Sequence, residues 1–189
     1  MEPSRSIPSR FRLDIADIRR RAREHMGRGP VTGAYIADRA RVVQVLNDVL
    51  ATEIVCTLRY RNHYFMVRGI HGQTVAAELL EHAKQEQAHA DALCERIVQL
   101  GGVPDLDPEG LASRSHAEYR TGTTLREMIM EDLVAERIAI EAYSEIIRWL
   151  QDDDPTTRRL IEGILENEEE HAYELAELLD ETDRGMVEE

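Results

Sequence analysis

Four stretches of this chain, roughly residues 37 to 70, 75 to 100, 125 to 152 and 155 to 180, repeat apolar side chains at alternating steps of three and four. That spacing draws a stripe along one face of a helix, and a stripe of that length has to be buried against other helices. The stripes read Val42, Leu46, Val49, Glu53, Cys56, Tyr60, His63, Val67; then Val75, Leu79, His82, Glu86, His89, Leu93, Ile97. The later two read Leu125, Ile129, Asp132, Glu136, Ala139, Tyr143, Ile146, Leu150; then Ile161, Ile164, Glu168, His171, Leu175, Leu178. Each has a glutamate in its middle, where burial asks for an apolar residue.

The punctuation agrees with four helices. His71-Gly72 closes the first and Thr74 can cap the second; Gly101-Gly102 ends the second. Thr124 with Glu127 reads as a capping box opening the third, and Asp154-Pro155 supplies an N-cap and a first-turn proline to the fourth. The first and last links are short, so each pair forms an antiparallel hairpin. The middle link, GGVPDLDPEGLASRSHAEYRTGT, is long enough to cross the length of a bundle. The expectation is an all-α four-helix bundle with one long crossover between helices two and three. A further short helix is expected near Phe11 to Glu24.

An apolar fraction of 42% with only 5% aromatics suits a helical chain better than a β-rich one. No span reaches the ~18–20 apolar residues of a membrane helix. The opening MEPSRSIPSR lacks the apolar core of a signal peptide, so a cytoplasmic protein without membrane attachment is expected. Cys56 and Cys94 are too few for a disulfide framework and make no Cys-x-x-Cys pair, which excludes a zinc knuckle or a rubredoxin-type site. The net charge of -14 is uneven: residues 1–30 hold eight arginines against Glu2, Asp14, Asp17 and Glu24, leaving that segment at +4 and the remainder at -18. The chain thus reads as a basic extension (1–30), a bundle (31–180) and an acidic tail (181–189). The acidic body attracts cations and repels nucleic acid. The arm is either a solvated terminus or a segment that tracks phosphates without sequence preference.

A single stripe glutamate can lie near a helix end or reach out to water. Four together are harder to dismiss, because burying neighbouring carboxylates costs several kcal/mol each unless something neutralises them. A pair of divalent cations removes that cost. The spacing also repeats: Glu53, Tyr60, Glu86 and His89 are separated by 7, 26 and 3 residues, and Glu136, Tyr143, Glu168 and His171 by 7, 25 and 3. The two hairpins therefore look like related halves about a pseudo-two-fold axis. In each Glu-x-x-His the side chains sit about 60° apart around the helix, so both can reach one metal. Carboxylates with one imidazole per metal and no thiolate suit iron or manganese. In ENEEEHAYEL, Glu168 and His171 fall on the stripe, whereas Glu166, Glu169 and Glu170 fall off it and should face solvent.

The wording around these positions resembles the ferritin superfamily, and within it bacterioferritins and bacterioferritin-like Dps proteins (mini-ferritins), over residues 38 to 180. It is carried by LNDVLATEIV around Glu53, EQAHAD around Glu86 and His89, DLVAERIAIEAY around Glu136 and ENEEEHAYEL around Glu168 and His171. The resemblance implies two Fe ions per subunit, with Mn or Zn as substitutes. Glu53 and Glu136 would be terminal ligands, Glu86 and Glu168 would bridge, and His89 and His171 would complete the set. Tyr60 matches a tyrosine that hydrogen-bonds a ligand carboxylate and supplies an electron. Asp132, one turn before Glu136, is a candidate acceptor behind the ligands. Gln87 stands where bacterioferritins carry the haem-binding methionine, so haem is not expected. A fifth helix has no counterpart, which favours a homo-oligomeric dodecamer over a 24-mer, although the long connection shows no clear short helix of the Dps kind.

The function implied is a ferroxidase that oxidises Fe(II) with O2 or H2O2, for iron storage and detoxification in a hollow shell. The alternatives are a di-manganese catalase or peroxidase, and a Dps-like protein that protects DNA through residues 1–30. Other residues stay open. His63 and His82 are hydrogen-bonded core histidines or an inner iron-transit site. Asp152 to Asp154 form a solvated turn and cap, or line a pore. Cys56 and Cys94 are small buried thiols or a redox pair.

Overall fold

The computed structural model describes residues 12–67 and 72–185 of the 189-residue chain. The chain divides into two compact units, Met1–Tyr35 and Ile36–Glu189. In the first, α1 (Ile15–Arg21) is the short helix expected near Phe11 to Glu24. It begins at Asp14, whose carboxylate accepts from the Asp17 amide, and it ends on Arg19, Arg20 and Arg21, favourable charge at the negative end of a helix. Asp17 also pairs with Arg20 and Arg21 at 2.7 Å each, so part of the arm's positive charge is met locally. A 3-10 turn follows at Met26–Arg28. Arg5 and Arg10 lie outside the described residues.

The second unit contains α2 (Arg39–Met66), α3 (Gly72–Gln99), α4 (Pro108–Arg114), α5 (Leu125–Leu150) and α6 (Pro155–Asp183). The long four are the expected bundle. Asp38 caps α2 through the Arg41 amide, and Thr124 and Glu127 form the full capping box of α5. Asp154 accepts from the Thr157 amide with Pro155 in the first turn of α6, and Gly101 takes a φ of 74° just after α3. Thr74 is not a cap: α3 begins two residues earlier, at Gly72. A β-carbon on Gly72 would stand 2.8 Å from Val67 Cγ1, so the hairpin turns too tightly there for a larger residue. His71 lies outside the described residues.

Helices α2 and α3 pack as one hairpin and α5 and α6 as another, with α2 meeting α5 and α3 meeting α6 across the seam. The stripes fill the middle. Leu46, Val49, Leu79, Leu93, Ile97, Ile129, Ile161 and Leu175 are fully buried, and only Val67, Ile146 and Leu178, towards helix ends, are half-buried. No helix among the described residues is long and apolar enough to cross a membrane.

The crossover follows α2 in register. Asn47 accepts from the Asp105 amide at 2.8 Å, Thr52 from the His116 amide at 2.9 Å, Arg59 donates to the Glu118 carbonyl at 3.4 Å, and His63 accepts from the Gly122 amide at 3.3 Å. Those anchors ascend α2 over ~24 Å at 1.5 Å per residue. The link therefore traverses the bundle as its length suggests. Within it lies α4, which packs on α2 and for which the sequence carries no clear expectation. Its signal was present in Asp107-Pro108, the same cap-and-proline pair that opens α6; Asp107 accepts from the Glu109 amide at 3.0 Å.

Candidate metal centre

At mid-height the stripes bring six charged or imidazole side chains together, from α2 (Glu53), α3 (Glu86, His89), α5 (Glu136) and α6 (Glu168, His171). Glu53, Glu86, Glu136, Glu168 and His171 are each at most 1% exposed and His89 is 8% exposed. One ligand atom each from Glu53, Glu86, His89 and Glu168 lies within 4.8 Å of the others, and the same holds for Glu86, Glu136, Glu168 and His171. Glu86 and Glu168 belong to both sets. Glu166, Glu169 and Glu170 face solvent, as their place off the stripe requires.

Both imidazoles turn Nδ1 inward. His89 Nδ1 is 3.0 Å from Glu53 and 3.3 Å from Glu168; His171 Nδ1 is 3.4 Å from Glu86, 3.5 Å from Glu168 and 4.0 Å from Glu136. Their outer nitrogens are held by amides. His89 Nε2 donates to Asn167 Oδ1 at 3.1 Å and His171 Nε2 to Gln85 Oε1 at 2.6 Å. Asn167 directly precedes Glu168 and Gln85 directly precedes Glu86, so each hairpin steadies the histidine of the other. A ring nitrogen fixed as a donor on the outside leaves the inner one as the metal-binding lone pair.

The tyrosines obey the same symmetry. Tyr60 donates to Glu136 and Tyr143 donates to Glu53, each reaching from the first helix of its own hairpin to the glutamate on the first helix of the opposite one. Burial pushes both phenols well above their ordinary pKa, and the carboxylate charges add to it, so they stay neutral donors. In the sequence, Tyr143 stands out only as a spacing marker. Its signal was the seven-residue step from Glu136 that copies Glu53 to Tyr60. Gln85 and Asn167 were missed because an amide beside a carboxylate has no distinctive pattern in one sequence.

Burial, and then the charges of its neighbours, raise the pKa of Glu86 and Glu136 well above the carboxylate range; Glu168 is raised chiefly by burial and by Glu53. Burial opposes charge on His89, yet the Glu168 and Glu53 carboxylates beside its Nδ1 outweigh that and bring it to about 10. Burial holds His171 below its ordinary value. Even with those bonds, Glu86 Oε1, Glu136 Oε2, both oxygens of Glu168 and His171 Nδ1 have no hydrogen-bond partner among the described residues. Five buried orphan donor atoms converging on one spot are what a pair of hard cations would satisfy, and the donor set of carboxylate and imidazole suits iron or manganese.

The remaining candidates separate cleanly. Asp132 is a buried acceptor, but from Arg59 at 2.8 Å and His63 at 2.7 Å rather than from a ligand of the centre. His63 is thus a hydrogen-bonded core histidine. His82 bonds Glu174 at 2.8 Å and stacks on His171 at 4.1 Å between centroids. Asp152 and Asp153 are exposed; Asp154 caps α6 but is buried against Arg96 at 2.8 Å rather than solvated. Cys56 and Cys94 are free, and burial raises both thiols, which makes them poor nucleophiles.

A family model for the ferritin-like domain matches residues 43–185. The chain belongs to the ferritin family. Among ferritin relatives, the bacterioferritin of Mycobacterium avium is 32% identical over 152 residues, covering 78% of this chain and 89% of that protein. The nutrient stress-induced DNA-binding protein of a Synechococcus strain is 31% identical over 152 residues, covering 79% and 86%. A solved ferritin structure, described as a dodecameric thioferritin and the bacterioferritin-related protein of Bacteroides fragilis, superposes with a TM-score of 0.75 at 30% identity over 79% of this chain and 90% of that one.

Proposed function

We propose that this ferritin is a ferroxidase, oxidising Fe(II) to Fe(III) with O2 or H2O2 at a dinuclear carboxylate site, for iron storage and detoxification in a hollow homo-oligomeric shell. The observation that carries the reading is the overlap of the two ligand sets on Glu86 and Glu168, ringed by donor atoms without partners. Glu53 and Glu136 would be terminal ligands, one per ion, Glu86 and Glu168 the bridges, and His89 and His171 the imidazoles. Two substrate Fe(II) ions held together give up one electron each, matching the two-electron reduction of peroxide to water or of O2 to peroxide. Tyr60 and Tyr143 hold the terminal carboxylates in place, and Asn167 and Gln85 hold the rings. Mn(II) or Zn(II) would occupy the same donors.

The relatives include bacterioferritins and a dodecameric structure, which supports iron storage and a shell of about twelve copies in place of twenty-four. The -18 charge outside residues 1–30 would draw Fe(II) towards such a shell. Free cysteines suit a reducing cytoplasm. The test is anaerobic Fe(II) titration followed by O2 or H2O2, reading ferric absorbance and oxidant consumption, on the wild type and a Glu53→Gln/Glu136→Gln variant. Oxidation of two Fe(II) per chain in the first turnover, lost in the variant, is expected. Oxidation no faster than in buffer would overturn the reading, and manganese in the purified protein with peroxide disproportionation would favour the catalase.

A second activity, non-specific DNA binding through residues 1–30, is supported by the eight arginines and by relatives described as DNA-binding. Deleting residues 1–30 should abolish salt-sensitive DNA binding and leave Fe(II) oxidation intact. Equal binding by the truncated chain removes this activity from the arm.

A further inference from the structure

Next to the dinuclear centre a third group of ligand atoms comes together. Glu78 and His82, one turn apart on α3, and Glu174 on α6 each place a ligand atom within 4.8 Å of the other two. The set continues the centre along both helices: His82 lies one turn before Glu86, and Glu174 one turn after His171. Three observations distinguish it from ordinary surface acid. His82 is 1% exposed, and its Nδ1 has no hydrogen-bond partner among the described residues. Its Nε2 faces Glu174 Oε2 at 2.8 Å, and the Glu174 side chain is 35% exposed. Its ring lies against His171, 4.1 Å between centroids and 23° between planes. The group therefore has one end against a ligand of the centre and the other at the surface.

We infer that Glu78, His82 and Glu174 form a mononuclear site for a divalent first-row cation, and that Fe(II) halts there on its way to the dinuclear centre. One imidazole and two carboxylates, with coordination positions left open to water, are a suitable donor set for Fe(II) or Zn(II) and a weak one, as a staging site must be. The position on the α3–α6 seam, with the His82 ring against that of His171, sets the site directly beside the dinuclear centre. The staging role rests on the ferroxidase reading; binding of the cation does not.

Zn(II), which air does not oxidise, is the probe. Crystals of the full-length protein soaked in Zn(II) should show an anomalous peak at Glu78, His82 and Glu174 besides those among the six ligands of the centre. Glu174→Gln and His82→Ala should lose that peak alone, and calorimetric titration should weaken the corresponding Zn(II) step by at least roughly tenfold. In solution, Glu174→Gln should slow Fe(II) oxidation at low Fe(II) while leaving the number of Fe(II) oxidised per chain in the first turnover unchanged. Because the Glu174 side chain is partly exposed and the substitution keeps its size, that variant keeps the fold. Peaks among the six ligands with none at Glu174, or no peaks at all, overturn the site and reduce the His82–Glu174 bond to a helix-to-helix tie. A peak at Glu174 alone upholds this site and counts against the dinuclear reading.

Discussion

Gln85 accepts the Nε2 proton of His171 at 2.6 Å, from the position immediately before Glu86. Asn167, immediately before Glu168, does the same for His89 at 3.1 Å. The residue that leads into each proposed bridging glutamate thus fixes the ring contributed by the opposite hairpin. Removing such an outer partner costs ~10–100-fold in metal affinity elsewhere. Gln85→Ala and Asn167→Ala should each weaken Zn(II) binding by about that factor, with the Zn(II) stoichiometry and the helical circular dichroism unchanged. Calorimetric titration reads the first and spectroscopy the second.

The metal-free protein should lose stability as pH rises. Glu86, Glu136 and Glu168 are raised above an ordinary 4.5, and His89 is raised from 6.5 to about 10. A group whose folded pKa is raised stabilises fully below its unfolded pKa, and that contribution fades as pH climbs through the folded value. His82, His116 and His171 are lowered from 6.5 by burial, so they act in the opposite sense, but only at pH values near and below 6.5. Thermal unfolding of metal-free protein above neutral pH should therefore show a falling midpoint. Metal binding expels the same protons, so affinity should rise with pH and proton release should be measurable in weakly buffered solution.

Tyr60→Phe and Tyr143→Phe should behave as a matched pair. Each removes the donor to one proposed terminal glutamate and strands a buried oxygen, at a cost of about 1–3 kcal/mol. Urea unfolding of the metal-free variants should show similar losses for both, and Fe(II) oxidation should slow in both. A large loss in one and none in the other would break the symmetry argument.

Away from the centre, Arg59, Asp132 and His63 form a fully buried network linking α2 to α5. Breaking a buried pair by removing one member strands a charge and typically costs ~3–5 kcal/mol. Asp132→Ala should destabilise by about that amount in denaturant titration, and leave the Zn(II) stoichiometry unchanged.

Much of the bundle was legible because its governing signal is local. Stripe spacing, the Thr124–Glu127 box and the Asp154-Pro155 pair each act within a turn or two of helix, and these agree with the structure. The six central residues could be listed because apolar periodicity makes a misplaced glutamate conspicuous, and the repeat of the spacing links the two halves. What escaped depends on contacts between distant segments. Asp132 lies one turn from Glu136 yet turns to Arg59, a partner 73 residues away that nothing in the local pattern indicates. Gln85 and Asn167 look like surface amides until the opposite hairpin is in place. The helix α4 is different: its Asp-Pro signal was visible, but a seven-residue helix has too short a stripe to stand out from its flanks.

The proposed ligands of each cation come from both hairpins, and they lie on the seam where helices α2 and α5, and α3 and α6, touch more sparsely than partners within a hairpin do. A bound ion would fasten the two halves of the chain to one another, much as a disulfide staples a small secreted domain. Its loss should loosen the join and leave each helical pair intact, so chelation would unlatch this molecule along one line instead of melting it throughout.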